Sequence, residues 1–248
     1  MDYNQKTYSK TSDQSLVDEG LRLYMLKVYN YMTTGLVLTG LMAYFFGKAS
    51  IISNDMGQLV GLTPLGGVLF NSPLKWIIML APLGFVFYLS ARMHKMSLSK
   101  AQVTFWIYSA IMGLSLSWIF IVFTQISIVR VFFISSATFA AMSLYGYTTK
   151  KDLTKLGGFL FMGLIGIIIA SLVNMFIGST ALQFAISIIG VLVFVGLTAY
   201  DTQKIKNMYY EGDNETVGSK KALMGALRLY LDFINLFILL LQLFGQRR

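Results

Sequence analysis

An all-α membrane protein of seven transmembrane helices, with a polar C-terminal helix enclosed by the other six, is the fold class this sequence predicts. Three observations predict it. The 248-residue chain is 56% hydrophobic and only 12% charged, against roughly 25% charged residues in a soluble protein. Seven apolar runs, each close to the length of about 20 residues that crosses a bilayer, recur along it. The last run carries Arg228, Asp232, Asn235 and Gln242 among leucines, isoleucines and phenylalanines. At about 100° per residue these four side chains fall within an arc of roughly 80°. An ionised Asp or Arg at mid-bilayer costs about 2.5–3.5 kcal/mol even on lenient insertion scales. The stripe must therefore face protein or water, with the other helices packed around it.

The helices are expected at about 28–47, 74–91, 101–123, 127–147, 157–177, 182–206 and 221–244. Spans of this number leave nothing for a soluble domain, so 1–248 reads as one polytopic domain. Residues 1–23 form a polar tail with Asp2, Asp13, Asp18 and Glu19 and no apolar core, which fits neither a cleaved signal nor a transit peptide. The connection 48–73 mixes Gly57, Gly61, Gly66 and Gly67 with apolar residues and reads as a short interfacial helix or a lid. The connection 207–220 is polar and fairly long. Elsewhere the connections are tight, which makes neighbouring helices antiparallel hairpins. In the fifth span Gly163, Gly166 and Ala170 permit close helix approach.

The net charge of +9 reports orientation and excludes a nucleic-acid partner. With a cytoplasmic N-terminus, the inner segments hold Lys6, Lys10, Arg22, Lys27, Arg92, Lys95, Lys100, Lys150, Lys151, Lys155, Lys204, Lys206, Lys220 and Lys221. The outer ones hold Lys48 and Lys75, with Arg130 just inside a short hairpin. This is the positive-inside distribution. Arg247 and Arg248 stand outside it if the last helix crosses fully, and inside if that segment dips and returns; the sequence leaves both open.

The absence of cysteine excludes disulfides, thiolate metal sites and cysteine nucleophiles, and a lone His94 excludes chemistry that needs two imidazoles. No phosphate-binding, nucleophile-elbow or zinc-protease motif is present. Gly113-Leu-Ser115-Leu-Ser117 is better read as packing than as a serine site, since the imidazole lies in a loop. Two acids remain within the spans, Asp201 and Asp232. Asp232 has a structural reading as a buried ion pair with Arg228, one turn earlier; Asp201 reads equally as a solvated acid closing its helix. Together they offer hard oxygen ligands for Ca²⁺ and a coupled pair that shares protons. They meet only if the sixth helix continues towards Tyr209, since otherwise an offset of about 8 Å remains. Tyr200-Asp201 with an acid on the next helix also outlines a diaspartyl protease, but Asp232 lies in Leu229-Tyr230-Leu231-Asp232-Phe233 and not in a GxGD motif.

Leu197-Thr198-Ala199-Tyr200-Asp201-Thr202-Gln203-Lys204-Ile205-Lys206 closely resembles the signature of the Bax inhibitor family, the transmembrane Bax-inhibitor-motif proteins. Ser143 to Leu153, Gly157 to Gly166 and Leu229 to Phe237 agree with it as well, so the resemblance covers nearly the whole chain after residue 20. It implies seven helices around a polar last one, and a pH-sensitive passive calcium leak without enzymatic activity in a bacterial inner membrane. Calcium enters as the permeant ion, not a cofactor. Asp201 and Asp232 map to the proton-sensing pair, and so to a weak calcium site, and Arg92 to the arginine of the latch; Arg228, at a position where other members can carry an acid, is read from the stripe as a second charge partner, and Asn235 and Gln242 as the lining of the path. The second helix here carries no acid to complete the latch. The resemblance also supports a rival from another class, a non-transporting regulator of a membrane-bound protease.

Overall fold

The computed structural model describes residues 3–54 and 59–248, with side chains from residue 19 onward, those of residues 55–58 and of His94 excepted. Asp2 and Gly57 lie outside the described residues, as do the side chains of Asp13 and Asp18. Among the described residues the fold is all-α apart from one small ribbon. Helix α1 (Tyr3–Ala49) includes most of the polar N-terminal segment and the first apolar run. A two-stranded antiparallel ribbon follows, β1 (Ile51–Ser53) and β2 (Leu59–Leu62), then the short helix α2 (Pro64–Gly66) and a π-helical turn, Gly67–Asn71. The connection read as an interfacial helix or lid is thus a ribbon with helical turns. Its backbone is held by Thr63 N–H on Ser50 O at 3.1 Å.

Six helical segments among the described residues are long and apolar enough to cross a membrane: α3 (Leu74–Arg92), α4 (Leu98–Leu116) with α5 (Ile119–Val122), α6 (Gln125–Thr148), α7 (Thr154–Ile177), α8 (Thr180–Lys206) and α9 (Glu215–Phe244). The third run, expected as one helix over 101–123, breaks at Ser117. There both the amide and the hydroxyl of Ser117 turn back to Leu114 O, at 3.2 and 2.6 Å, and this tighter i→i−3 closure ends the α ladder.

Local chemistry sets the other ends. Ser97, Thr124, Ser179 and Asn214 cap α4, α6, α8 and α9 by accepting an amide three residues on. Gly178 closes α7 at φ 67°, the left-handed conformation a glycine adopts without strain. In the connection before α7, Asp152 accepts both the amide and the hydroxyl of Thr154, which hold its carboxyl below the usual range.

The core is built on α9, whose Leu223, Leu229, Tyr230, Leu236 and Leu241 are fully buried. It packs chiefly against α8, α1, α6 and α4, while α7 packs on α8 and α3 on α4. In lipid, helices associate through close packing more than through hydrophobic exclusion. The glycines show where. A Cβ on Gly146 of α6 would strike the Ala199 carbonyl of α8, and one on Gly113 of α4 would come within 2.5 Å of Thr39 O on α1. In α7, Gly163 approaches Val193 as expected, whereas Gly166 faces open space.

Candidate ion site in the helix bundle

The register between α8 and α9 brings the two intramembrane acids together. Going down the pair, Gly190 meets Leu239, Asp201 meets Arg228 and Asp232, and Ile205 meets Gly225. Helix α8 ends at Lys206, short of Tyr209. The meeting is achieved from the other side, because α9 starts at Glu215, well before the expected 221, and Gly225 is level with the end of α8. The first turns of α9 therefore project about 15 Å beyond α8, and the expected offset disappears. The last six residues of the long polar connection become helix. The remainder, 207–214, runs back along the projecting end, where Asp213 Oδ2 lies 2.6 Å from Lys221 Nζ and the Tyr209 ring packs 5.7 Å from that of Tyr24.

At the centre of the site the carboxyls of Asp201 and Asp232 face each other closely enough to interact electrostatically. Asp232 is 5% exposed, and its Oδ2 has no hydrogen-bond partner. Arg228 Nη1 stands 3.5 Å from Asp201 Oδ1. The ion pair anticipated between Arg228 and Asp232 along α9 thus forms across the helix interface, with Asp201. The cause is geometric: Asp201 projects from α8 into the turn of α9 that separates the two residues. Asp201 is correspondingly no solvated helix terminator, since its side chain is 14% exposed.

The other expected residues are placed elsewhere. Asn235 gives its Nδ2 proton to Leu231 O at 2.8 Å, a local bond on its own helix. Gln242 lies near the far end of α9, where its Oε1 accepts from Gln183 Nε2 at 2.8 Å and Ser187 Oγ at 3.1 Å. Gln183 Oε1 in turn accepts from Asn174 Nδ2 at 3.1 Å. Arg92 is exposed at the end of α3 and makes no ion pair among the described residues; it lines a separate recess with Lys95 and Lys100.

Sequence reasoning missed two polar groupings. Asn174, Gln183 and Ser187 were visible as polar residues inside apolar runs, the last two one turn apart. The chain Tyr29 Oη, Ser143 Oγ and Thr202 Oγ1, linked at 2.7 and 3.0 Å, joins α1, α6 and α8 beside Asp201. Nothing in the spacing of those three residues pairs them.

The family described as Inhibitor of apoptosis-promoting Bax1 matches residues 21–248. The chain belongs to the Bax inhibitor family. Among its bacterial relatives, protein RP147 of Rickettsia prowazekii is 49% identical over 248 residues, covering 100% of this chain and 99% of its own. Inner membrane protein YbhL of Escherichia coli K12 is 47% identical over 232 residues, 92% of this chain and 94% of its own. In this Bax inhibitor family member, the signature stretch 197–206 forms the end of α8, and the stretch 229–237 is the segment of α9 that carries Asp232.

Proposed function

We propose that the protein is a passive cation leak of the bacterial inner membrane, permeable to Ca²⁺ and gated by protonation of Asp201 and Asp232. The observation that carries this reading is the pair of facing carboxyls, that of Asp232 buried, inside a membrane-embedded helix bundle, with one cation, Arg228, at 3.5 Å from Asp201. Two facing carboxyls attract only while a proton lies between them. Two unit charges about 4 Å apart repel by on the order of 4 kcal/mol at an effective dielectric of 20. Arg228 offsets part of that. Loss of the shared proton therefore favours separation of α8 from α9, and the parted carboxylates offer hard oxygen ligands to a passing divalent cation.

The same reading takes α1 as the first of seven crossings, the N-terminus as cytoplasmic from the basic asymmetry, and α9 as the helix the other six surround. The inner-membrane location is supported by the name of the YbhL relative. The test is Ca²⁺ flux from proteoliposomes of the purified protein against pH. Wild type conducts with a pH dependence that Asp201→Asn and Asp232→Asn alter. Flux and pH response unchanged in both variants would overturn the mechanism.

A further inference from the structure

Between α1 and α6 the bundle is open. A groove of about 910 Å³ runs from Arg22 to Leu41 on α1, walled on α6 by residues from Tyr147 to Phe132 and floored by Phe233 of the buried α9. A second apolar hollow of about 340 Å³ shares Leu36, Gly40, Phe132 and Phe233 with it and continues towards Phe120. We propose that this groove binds an anionic phospholipid, with one acyl chain laid between α1 and α6 and the phosphate at Arg22.

The lining is hydrocarbon apart from a few hydroxyls, and of these Ser136 and Ser143 are already hydrogen-bonded within the protein. The rims carry exposed Leu26, Val37, Leu41 and Leu144, so the opening is continuous with the apolar outer surface of the bundle. The stretch of α1 from Arg22 to Leu41 covers about 28 Å, most of the hydrocarbon thickness. A helix about 10 Å across and of that length would displace on the order of 2,000 Å³, far more than the groove holds. A hydrocarbon chain fits wholly within it, whereas a partner helix would seat only in part. The headgroup end follows from charge: Arg22 lies at the lysine-rich end of the bundle and has no ion-pair partner among the described residues. Lys206 reaches the same mouth, with its Nζ on the Tyr147 carbonyl at 2.8 Å. The floor residue Phe233 follows Asp232 in sequence, so a seated chain presses on the turn that carries the buried acid.

The experiment uses the full chain in lipid nanodiscs doped with phosphatidylglycerol bearing a photoreactive diazirine at the end of one acyl chain, with cross-links mapped by mass spectrometry. Label concentrates on Leu36, Gly40 and Phe132. Phosphatidylcholine with the same chain labels them about fivefold less, the effect of one arginine on an anionic headgroup. Arg22→Gln removes that headgroup difference and, being at an exposed position, leaves the packing alone. Gly40→Leu fills the groove from within, since a Cβ at Gly40 meets open space, and abolishes the label on Phe132. Label spread evenly over all outward-facing helices, unchanged label in both variants, or cross-links to a second copy across the groove would each overturn the proposal.

Discussion

Arg228 Nη1 lies 3.5 Å from Asp201 Oδ1 on the neighbouring helix, and makes no ion pair with Asp232 one turn along its own. The guanidinium is 42% exposed on its side chain while the carboxyl it faces is 14% exposed. The three charged groups are therefore not equivalent. One acid is in an ion pair, the other feels the same cation only from farther away, and the cation stands at the edge of the cluster.

Removing that cation leaves two carboxyls facing each other with less to stabilise their ionised forms. Arg228→Gln is therefore expected to move the pH midpoint of cation flux upward, because a proton is released less readily when a neighbouring positive charge is lost. Arg228→Lys keeps the charge and moves it less. Flux recorded against pH in proteoliposomes checks this, and a downward shift in Arg228→Gln contradicts the assigned role.

Gln242 and Gln183 form a direct side-chain bond at 2.8 Å between α9 and α8, far from the acids. Such bonds within membranes average about 0.6 kcal/mol and reach about 1.7 in double-mutant cycles. Gln242→Leu alone strands Gln183 Nε2, and Gln183→Leu alone leaves both Gln242 and Asn174 short of a partner. The double variant is expected to be less destabilised than the two single changes added together, with a coupling of about 0.5–2 kcal/mol. Equilibrium unfolding in mixed micelles measures the cycle. If the Gln242 changes also abolish flux at unchanged stability, the residue lines the path.

Helix packing gives a second stability contrast. A Cβ at Gly146 runs into the backbone carbonyl of Ala199, which no rotamer change can relieve, whereas one at Gly166 meets nothing within 4 Å. Gly146→Ala should cost about 1–3 kcal/mol as overpacking. Gly166→Ala should be neutral or stabilising by up to about 1 kcal/mol, the helix-propensity difference. Thermal unfolding midpoints distinguish the two.

What could be read from the sequence followed the strength of the physical signal. Six spans, the burial of Asp232 and the presence of Asp201 near the end of α8 were legible, because in a bilayer hydropathy and charge leave few alternatives; the rest of the polar stripe, Arg228, Asn235 and Gln242, is only partly buried. The partner of Arg228 was not, since i→i+4 spacing proposes a neighbour on the same helix and carries no information on what a second helix inserts between. The start of α9 was misplaced by six residues because Glu215 to Lys220 is polar and lies below the apolar run; Asn214 and the acidic first turn mark it only once a cap is sought there. The ribbon in 48–73 was hidden because its strands are three and four residues long.

The C-terminus supplies a test of whether α9 crosses. Arg248 N–H bonds Val122 O at 2.9 Å and Thr124 N–H bonds Gln246 O at 3.0 Å, so the last residues lie against the connection between α5 and α6. That connection is separated by the full length of α6 from Lys150 and Lys151, and α9 thus runs from the lysine-rich end of the bundle to the opposite one. The chain contains no cysteine, so single introduced thiols report without background. Arg248→Cys is expected to react in intact cells with a membrane-impermeant maleimide. Lys150→Cys is expected to react only after the inner membrane is opened. Reaction of both from one side would mean that α9 does not cross, and would remove the reason for the basic residues at its end to stand apart from the positive-inside pattern. Reaction with the two sides exchanged would keep the crossing of α9 and invert the orientation, placing the projecting turns of α9 and the 207–214 connection on the outer side of the membrane.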